Sequence, residues 1–232
     1  MERAFVVEGV RAVDDALETG AIASMILIRE GEEHLLPGQV PSRRILAPDI
    51  FAGLTDTQHP QGILGVFPFP NVEPRRSGPD LYLLADRIGD PGNFGTLLRS
   101  AAAAGASAVV TLPETVDPYN PKVVRAGMGA HFRVPLWDYT DLATAERIHE
   151  VQVRVLADLG DHPVYDEFDW VRNVALIVTS ETAGPSDLAM SLATDRVTIP
   201  MDNAIESLNA GIAGSVILFE AARQRRNQAK RP

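Results

Sequence analysis

Short apolar blocks alternate with amphipathic stretches along this chain. Ala4 to Glu8 is apolar and β-branched enough for a strand. In the segment that follows, up to Gly20, Val10, Val13 and Leu17 fall on one helical face, and Gly20 ends that helix. Met25 to Ile28 and Arg44 to Leu46 predict two more strands. A short helix is expected over Asp49 to Leu54, and another strand over Gly62 to Phe67. The proline-, glycine- and charge-rich run from Phe69 to Pro79 suits neither a helix nor a strand interior and reads as a linker. Beyond it, strands at Leu81–Ala85, Ala108–Leu112, Arg133–Leu136, Val153–Ala157, Val174–Val178 and Val197–Ile199 are expected. Helices are expected over Phe94–Ala104, Lys122–Met128 and Leu142–Glu150, with a last one starting near Ser207. Apolar strands alternating with helices predict an α/β fold, a mostly parallel sheet covered on both faces.

Composition narrows the function classes. The 232 residues include no cysteine, which excludes disulfides and thiolate chemistry. The five histidines are scattered, none paired at zinc-motif spacing, so no metal is expected. No apolar run approaches the ~18 residues of a membrane span. The start, MERAFVVEGV, lacks the basic region and long apolar core of a signal peptide, so a cytoplasmic location is expected. A net charge of −10 runs against a nucleic-acid binder. Local basic clusters matter more than the sum: Arg43-Arg44, Arg75-Arg76, and the tail from Arg223 to Arg231. The tail reads equally as a solvated helix end, where cations favour the dipole.

Candidate chemistry gathers in loops that follow strands, the edge where open α/β sheets bind ligands. Asp86 to Gly95, with Asp90-Pro91-Gly92-Asn93, leads into a helix carrying Arg99. Asn93 there is either a helix cap or a site residue. Arg99 interrupts a run of small and apolar residues; it is either a salt-bridged structural arginine or a guanidinium held near phosphate or ribose. Thr179 to Ser186 is a loop of small hydroxyl residues around Glu181 and Gly184, suited to close approach by a ligand. Val197 to Arg223 runs from a strand through Pro200-Met201 into a helix whose mouth carries Glu206, Ser207, Leu208 and Asn209. Neither a G-x-G-x-x-G fingerprint nor a P-loop is present. No nucleophile is paired with a base, so a bound group must bring the reactive atom.

These residues resemble the SpoU/TrmH-type family of RNA ribose 2′-O-methyltransferases in the SPOUT superfamily. The first family motif stands as Asp90-Pro91-Gly92-Asn93-Phe94-Gly95-Thr96-Leu97-Leu98-Arg99, and the third as Ile199-Pro200-Met201 with Ser207-Leu208-Asn209. The second stands as Thr179-Ser180-Glu181-Thr182-Ala183-Gly184, with threonine in place of its first glycine. Phe5-Val6-Val7-Glu8-Gly9 and Gln61-Gly62-Ile63-Leu64 resemble the family's ribosomal-protein-like RNA-binding domain.

The resemblance implies such a domain over residues 1–70, a linker over 71–79, and a SPOUT domain over 80–232 whose C-terminal part forms a deep trefoil knot. It implies a homodimer with the last helix at the interface, an RNA substrate, ribosomal RNA favoured over transfer RNA, and S-adenosyl-L-methionine as methyl donor. Thr179, Glu181, Gly184, Ile199, Met201, Ser207 and Leu208 are the expected donor contacts. Asn93, Arg99, Glu181, Ser207 and Asn209 are the expected catalytic set, with Arg99 clamping phosphate or orienting the ribose hydroxyl, because a guanidinium has no acceptor lone pair to take a proton. A non-catalytic RNA-binding relative and a methyltransferase for a small molecule or protein are the competing alternatives.

Overall fold

A computed structural model describes residues 3–36, 42–55, 57, 60–74, 78–202 and 207–230. Arg75, Arg76, Glu206 and Arg231 lie outside the described residues. The first sheet holds β1 (Ala4–Glu8), β4 (Ile63–Pro68), β2 (Met25–Arg29) and β3 (Arg43–Leu46), in that spatial order. β4 runs antiparallel to both β1 and β2, whereas β3 is parallel to β2. Helix α1 (Val10–Glu18) buries Val13 and Ala16 against this sheet, and α2 (Pro48–Ala52) buries Phe51.

The second sheet is parallel throughout. Its order is β10 (Asp195–Val197), β8 (Val153–Ala157), β9 (Val174–Thr179), β5 (Leu81–Asp86), β6 (Ala108–Thr111) and β7 (Leu136–Asp138). All six residues of β5 are buried, because helices cover both faces of the sheet. The period of two sorts its side chains between two cores. Leu81, Leu83 and Ala85 join the cluster beneath α3 (Pro91–Ala104) and α7 (Ala210–Gln228). Tyr82 and Leu84 join the opposite cluster with Ile148 of α5 (Leu142–Glu150) and with Ala189 and Leu192 of α6 (Asp187–Leu192). β9 divides in the same way.

Glycines bring α3 against its neighbours. A Cβ on Gly95 would stand 2.4 Å from the Cβ of Ala126 in α4 (Pro121–Gly127), and one on Gly214 of α7 would stand 2.3 Å from Leu97. The glycine of the first motif is therefore a packing glycine.

The two sheets share a junction of aromatic side chains. Phe69 stacks on Tyr119 with ring centroids 3.5 Å apart, and Phe5 lies against Tyr119, His131 and Phe132. Arg133 grips Asp15 through both terminal nitrogens, at 2.7 and 2.6 Å.

Several expected boundaries shift. The strand expected over Arg133–Leu136 begins at Leu136, because a 3-10 turn at Ala130–Phe132 continues through Val134, whose N–H donates to Ala130. The strand expected over Val197–Ile199 is Asp195–Val197, since pairing with β8 ends at Ala157 and Thr198 bridges to Val164 instead. The last helix starts at Ala210, not near Ser207, because Asn209 caps it. The short α6 has no counterpart among the predicted helices.

Candidate functional site

The C-terminal ends of β8, β9 and β10 converge on one pocket. Its walls include Val178, Val197, Ile199, Met201, Leu208 and Ala213, with the Thr179–Pro185 loop on one side and Ala157 to Leu159 on another. Every residue expected to contact the donor is here: Thr179, Glu181, Gly184, Ile199, Met201, Ser207 and Leu208. Apolar side chains make the walls while the loops supply backbone polar groups. That combination suits a ligand with one apolar, aromatic end and one polar end.

The loop after β9 owes its shape to Asp86, the buried last residue of β5. One carboxylate oxygen accepts the Ser186 N–H at 2.9 Å and the other accepts the Ser186 hydroxyl at 2.6 Å. The same hydroxyl accepts the Ala189 N–H and caps α6. Ser180 N–H bonds back to the Asp86 carbonyl, and Gly184, at φ 66°, closes the turn onto Ser180. The left-handed conformation falls on Gly184, while Thr179 is an ordinary strand residue in register with Asp86. Threonine in place of the motif's first glycine therefore brings no backbone conflict.

The rim of the pocket is a chain of side-chain hydrogen bonds. The Asn209 amide donates to Asn93 Oδ1 at 2.7 Å, and the Asn93 amide donates to Glu181 Oε1 at 3.0 Å. One residue from each family motif thus meets at one corner. Asn93 is not the cap of α3. That cap is Asp90, whose carboxylate accepts the Asn93 N–H at 2.8 Å. Ser207 is not the cap of α7 either; Asn209 is, and Ser207 lines the pocket. Arg99 stands apart. It is exposed on α3 and makes no hydrogen bond or ion pair among the described residues.

Residues 80–219 match the SpoU rRNA Methylase family. The chain belongs to the SpoU rRNA methylase family. Similar members include the mitochondrial rRNA methyltransferase 3 of Homo sapiens, 32% identical over 96% of this chain and 68% of that protein. Another is the 23S rRNA (guanosine(2553)-2′-O)-methyltransferase of Bacillus subtilis (strain 168), 34% identical over 93% of this chain and 87% of that one. Among solved structures, the SpoU methyltransferase AviRb from Streptomyces viridochromogenes in complex with AdoMet superposes with a TM-score of 0.82. It is 29% identical and covers 96% of this chain and 91% of that one.

Some site residues of this SpoU chain were not singled out by the sequence. Ala157, Asp158 and Leu159 line the pocket from the end of β8, where the same strand-then-loop signal that marked the other loops was present. Asp158 is held by Arg196 of β10 at 2.8 Å, which ties that wall to the neighbouring strand. The basic tail resolves into structure. Arg225 is partly buried and donates to the carbonyls of Trp170 at 2.9 Å, Asp80 at 2.9 Å and Arg172 at 2.8 Å, and to that of Pro79. Burial holds its pKa below the usual arginine value. Arg223 pairs with Glu220.

Proposed function

We propose that this protein is an S-adenosyl-L-methionine-dependent RNA methyltransferase that places a methyl group on a ribose 2′-hydroxyl, with ribosomal RNA favoured as substrate over transfer RNA. The observation that carries this is the convergence of second- and third-motif residues on a single pocket, with Asn93 of the first motif joined to Glu181 and Asn209 beside it. Family membership and relatives named as rRNA 2′-O-methyltransferases support the same reading.

The pocket fits the donor. Apolar walls at Val197, Ile199, Met201 and Leu208 suit an adenine ring, and the backbone of the Thr179–Gly184 loop offers N–H and carbonyl groups to its polar parts. Bound there, the donor would supply an already activated sulfonium methyl, and methylation releases the hydroxyl proton, so the protein must orient the ribose hydroxyl and help remove that proton. Glu181 is the carboxylate at that corner. The Asn93 amide fixes its orientation, and Asn209 fixes Asn93. Ser207 completes the wall, and Arg99 clamps the RNA backbone from outside the pocket.

The same reading includes a homodimer and a trefoil knot. On α7, Ile212 and Phe219 are exposed, 51% and 47%, and Val216 between them is partly so. That apolar stripe at helical spacing suits a second copy of the chain. After β10 the chain returns to pack α7 on α3 and β9, an arrangement compatible with threading through the preceding loops. Residues 1–70 serve as the RNA-binding domain and 80–232 as the catalytic domain. The described helices include none long and apolar enough to cross a membrane, and the proposed setting is the cytoplasm.

Calorimetry with S-adenosyl-L-methionine and methyl transfer to unmodified 23S rRNA transcript test the proposal together. Donor binding with ribose methylation is expected. Absence of donor affinity would leave only a non-catalytic RNA-binding relative, and methylation of a protein or small molecule alone would point to the other class. Arg99→Ala should abolish transfer while donor affinity survives.

A further inference from the structure

Beside the donor pocket runs a groove of about 550 Å³ between the Arg87–Asn93 segment, Glu114 and the Ser180–Ala183 loop. It shares Ser180 and Glu181 with the pocket, so whatever occupies it lies against the Asn93–Glu181 corner. Three carboxylates line it, those of Asp90, Glu114 and Glu181, and Glu114 is the one that faces Arg87. Asp90 caps α3, and Glu181 accepts from Asn93. Arg87 is the one cation among the described residues that line it.

Arg87 and Glu114 are both held in the left-handed backbone region, at φ 55° and 66°. Residues with a Cβ persist there only when their surroundings impose it, and such residues cluster at functional sites. The surroundings are visible. The Ala85 carbonyl accepts from the N–H of Leu112 and the hydroxyl of Thr115, and the Ile88 carbonyl accepts from Val116. Two loops are thereby locked side by side, with Arg87 facing Glu114.

The contact between them is weak. The closest approach is 3.5 Å, and the Glu114 side chain is 71% exposed. Meanwhile Arg87 Nε is buried with no partner. A guanidinium held by a distant, solvated carboxylate, with one donor unmet, is suited to exchange that partner for a phosphodiester, whose paired oxygens match its fork.

We propose that Arg87 binds a backbone phosphate of the RNA next to the target ribose, displacing Glu114 and setting the ribose hydroxyl against Glu181 and the donor pocket. This rests on the RNA methyltransferase reading and adds to it a substrate-positioning residue outside the three family motifs. Glu114 guards the site, so that the groove accepts an anion able to displace it.

The test uses the full chain with 23S rRNA transcript, following methyl-transfer KM and kcat, RNA affinity against salt, and donor affinity by calorimetry. Arg87→Gln is expected to raise the KM for RNA by about tenfold and to reduce the salt slope by ~1, with donor affinity unchanged. Arg87→Lys should recover most of the loss, and Glu114→Gln should lower the KM. Arg87→Gly, at ease at this φ, replaces the Gln variant if that one does not fold. An active wild type combined with an Arg87→Gln or Arg87→Gly variant of unchanged KM and salt slope overturns the proposal while leaving the enzyme reading intact. A wild type with no donor binding and no transfer overturns that reading instead.

Discussion

The Asn93 side-chain amide donates to the Glu181 carboxylate at 3.0 Å, although the two residues lie 88 positions apart in the chain. Asn209 holds the other end of Asn93 at 2.7 Å and also caps α7. Removing the middle of this chain frees Glu181 without touching the walls of the donor pocket. Asn93→Ala should therefore lower kcat by about 10- to 100-fold, the cost of misplacing one reacting group. Donor affinity should stay near wild type. Asn209→Ala should lose activity too, and in addition about 1 kcal/mol of stability as the cap goes. Single-turnover methyl transfer with calorimetry and thermal melts separates these outcomes.

Asp86 is buried, and Ser186 supplies both of its side-chain hydrogen bonds. Ser186→Ala removes the hydroxyl donor from a buried carboxylate and the cap from α6. A loss of about 1–3 kcal/mol is expected. Because this contact shapes the Ser180–Pro185 loop, donor affinity should fall as well, in contrast to Asn93→Ala. Chemical denaturation and calorimetry on the same variant measure both effects.

Arg225 bonds to main-chain carbonyls next to the starts of β5 and β9 and pins α7 to that edge of the sheet. Arg225→Met keeps much of the apolar stem and loses these charged hydrogen bonds. Destabilisation by about 2–4 kcal/mol is expected, since bonds to a charged donor exceed neutral ones and their shared geometry keeps them from adding fully. The salt dependence of RNA binding should not change, because the guanidinium is already occupied. A reduced slope would show that it does contact RNA.

His131 sits at the junction of the two sheets, with Nε2 at 2.7 Å from the Pro118 carbonyl and Nδ1 buried without a partner. Burial lowers its pKa, with the Pro118 carbonyl and Asp117 opposing the shift. The folded protein therefore binds fewer protons at this site than the unfolded chain. Its contribution to stability is present above the ordinary histidine pKa of about 6.5 and is lost as pH falls from there toward the lowered folded value. Melting temperature should drop over that acid range, and His131→Gln should flatten the dependence there. An unchanged slope in the variant would assign the acid sensitivity to other groups.

The apolar blocks were enough to place most strands of both sheets, because a buried strand has a local signature that needs no partner, whereas the short edge strands β7 and β10 shifted to where their neighbours pair. The motif residues were legible for a related reason: polar asparagine and glutamate side chains beside buried strand ends have no core-packing role that would favour them there. The sequence by itself thus determined the α/β layout and the loops that carry the chemistry. What it left open was decided by contacts between residues far apart in the chain. Asp86 and Ser186, 100 positions apart, set the shape of a loop whose own residues give no hint of it. The end of β8 joined the pocket because β8 pairs with β9 and β10, an order invisible to local periodicity. The tail arginines looked like one basic patch, yet burial turned Arg225 into a clamp on carbonyls while Arg99 stayed exposed. Charge and side-chain type are written locally; which groups a side chain meets depends on how the sheet orders its strands.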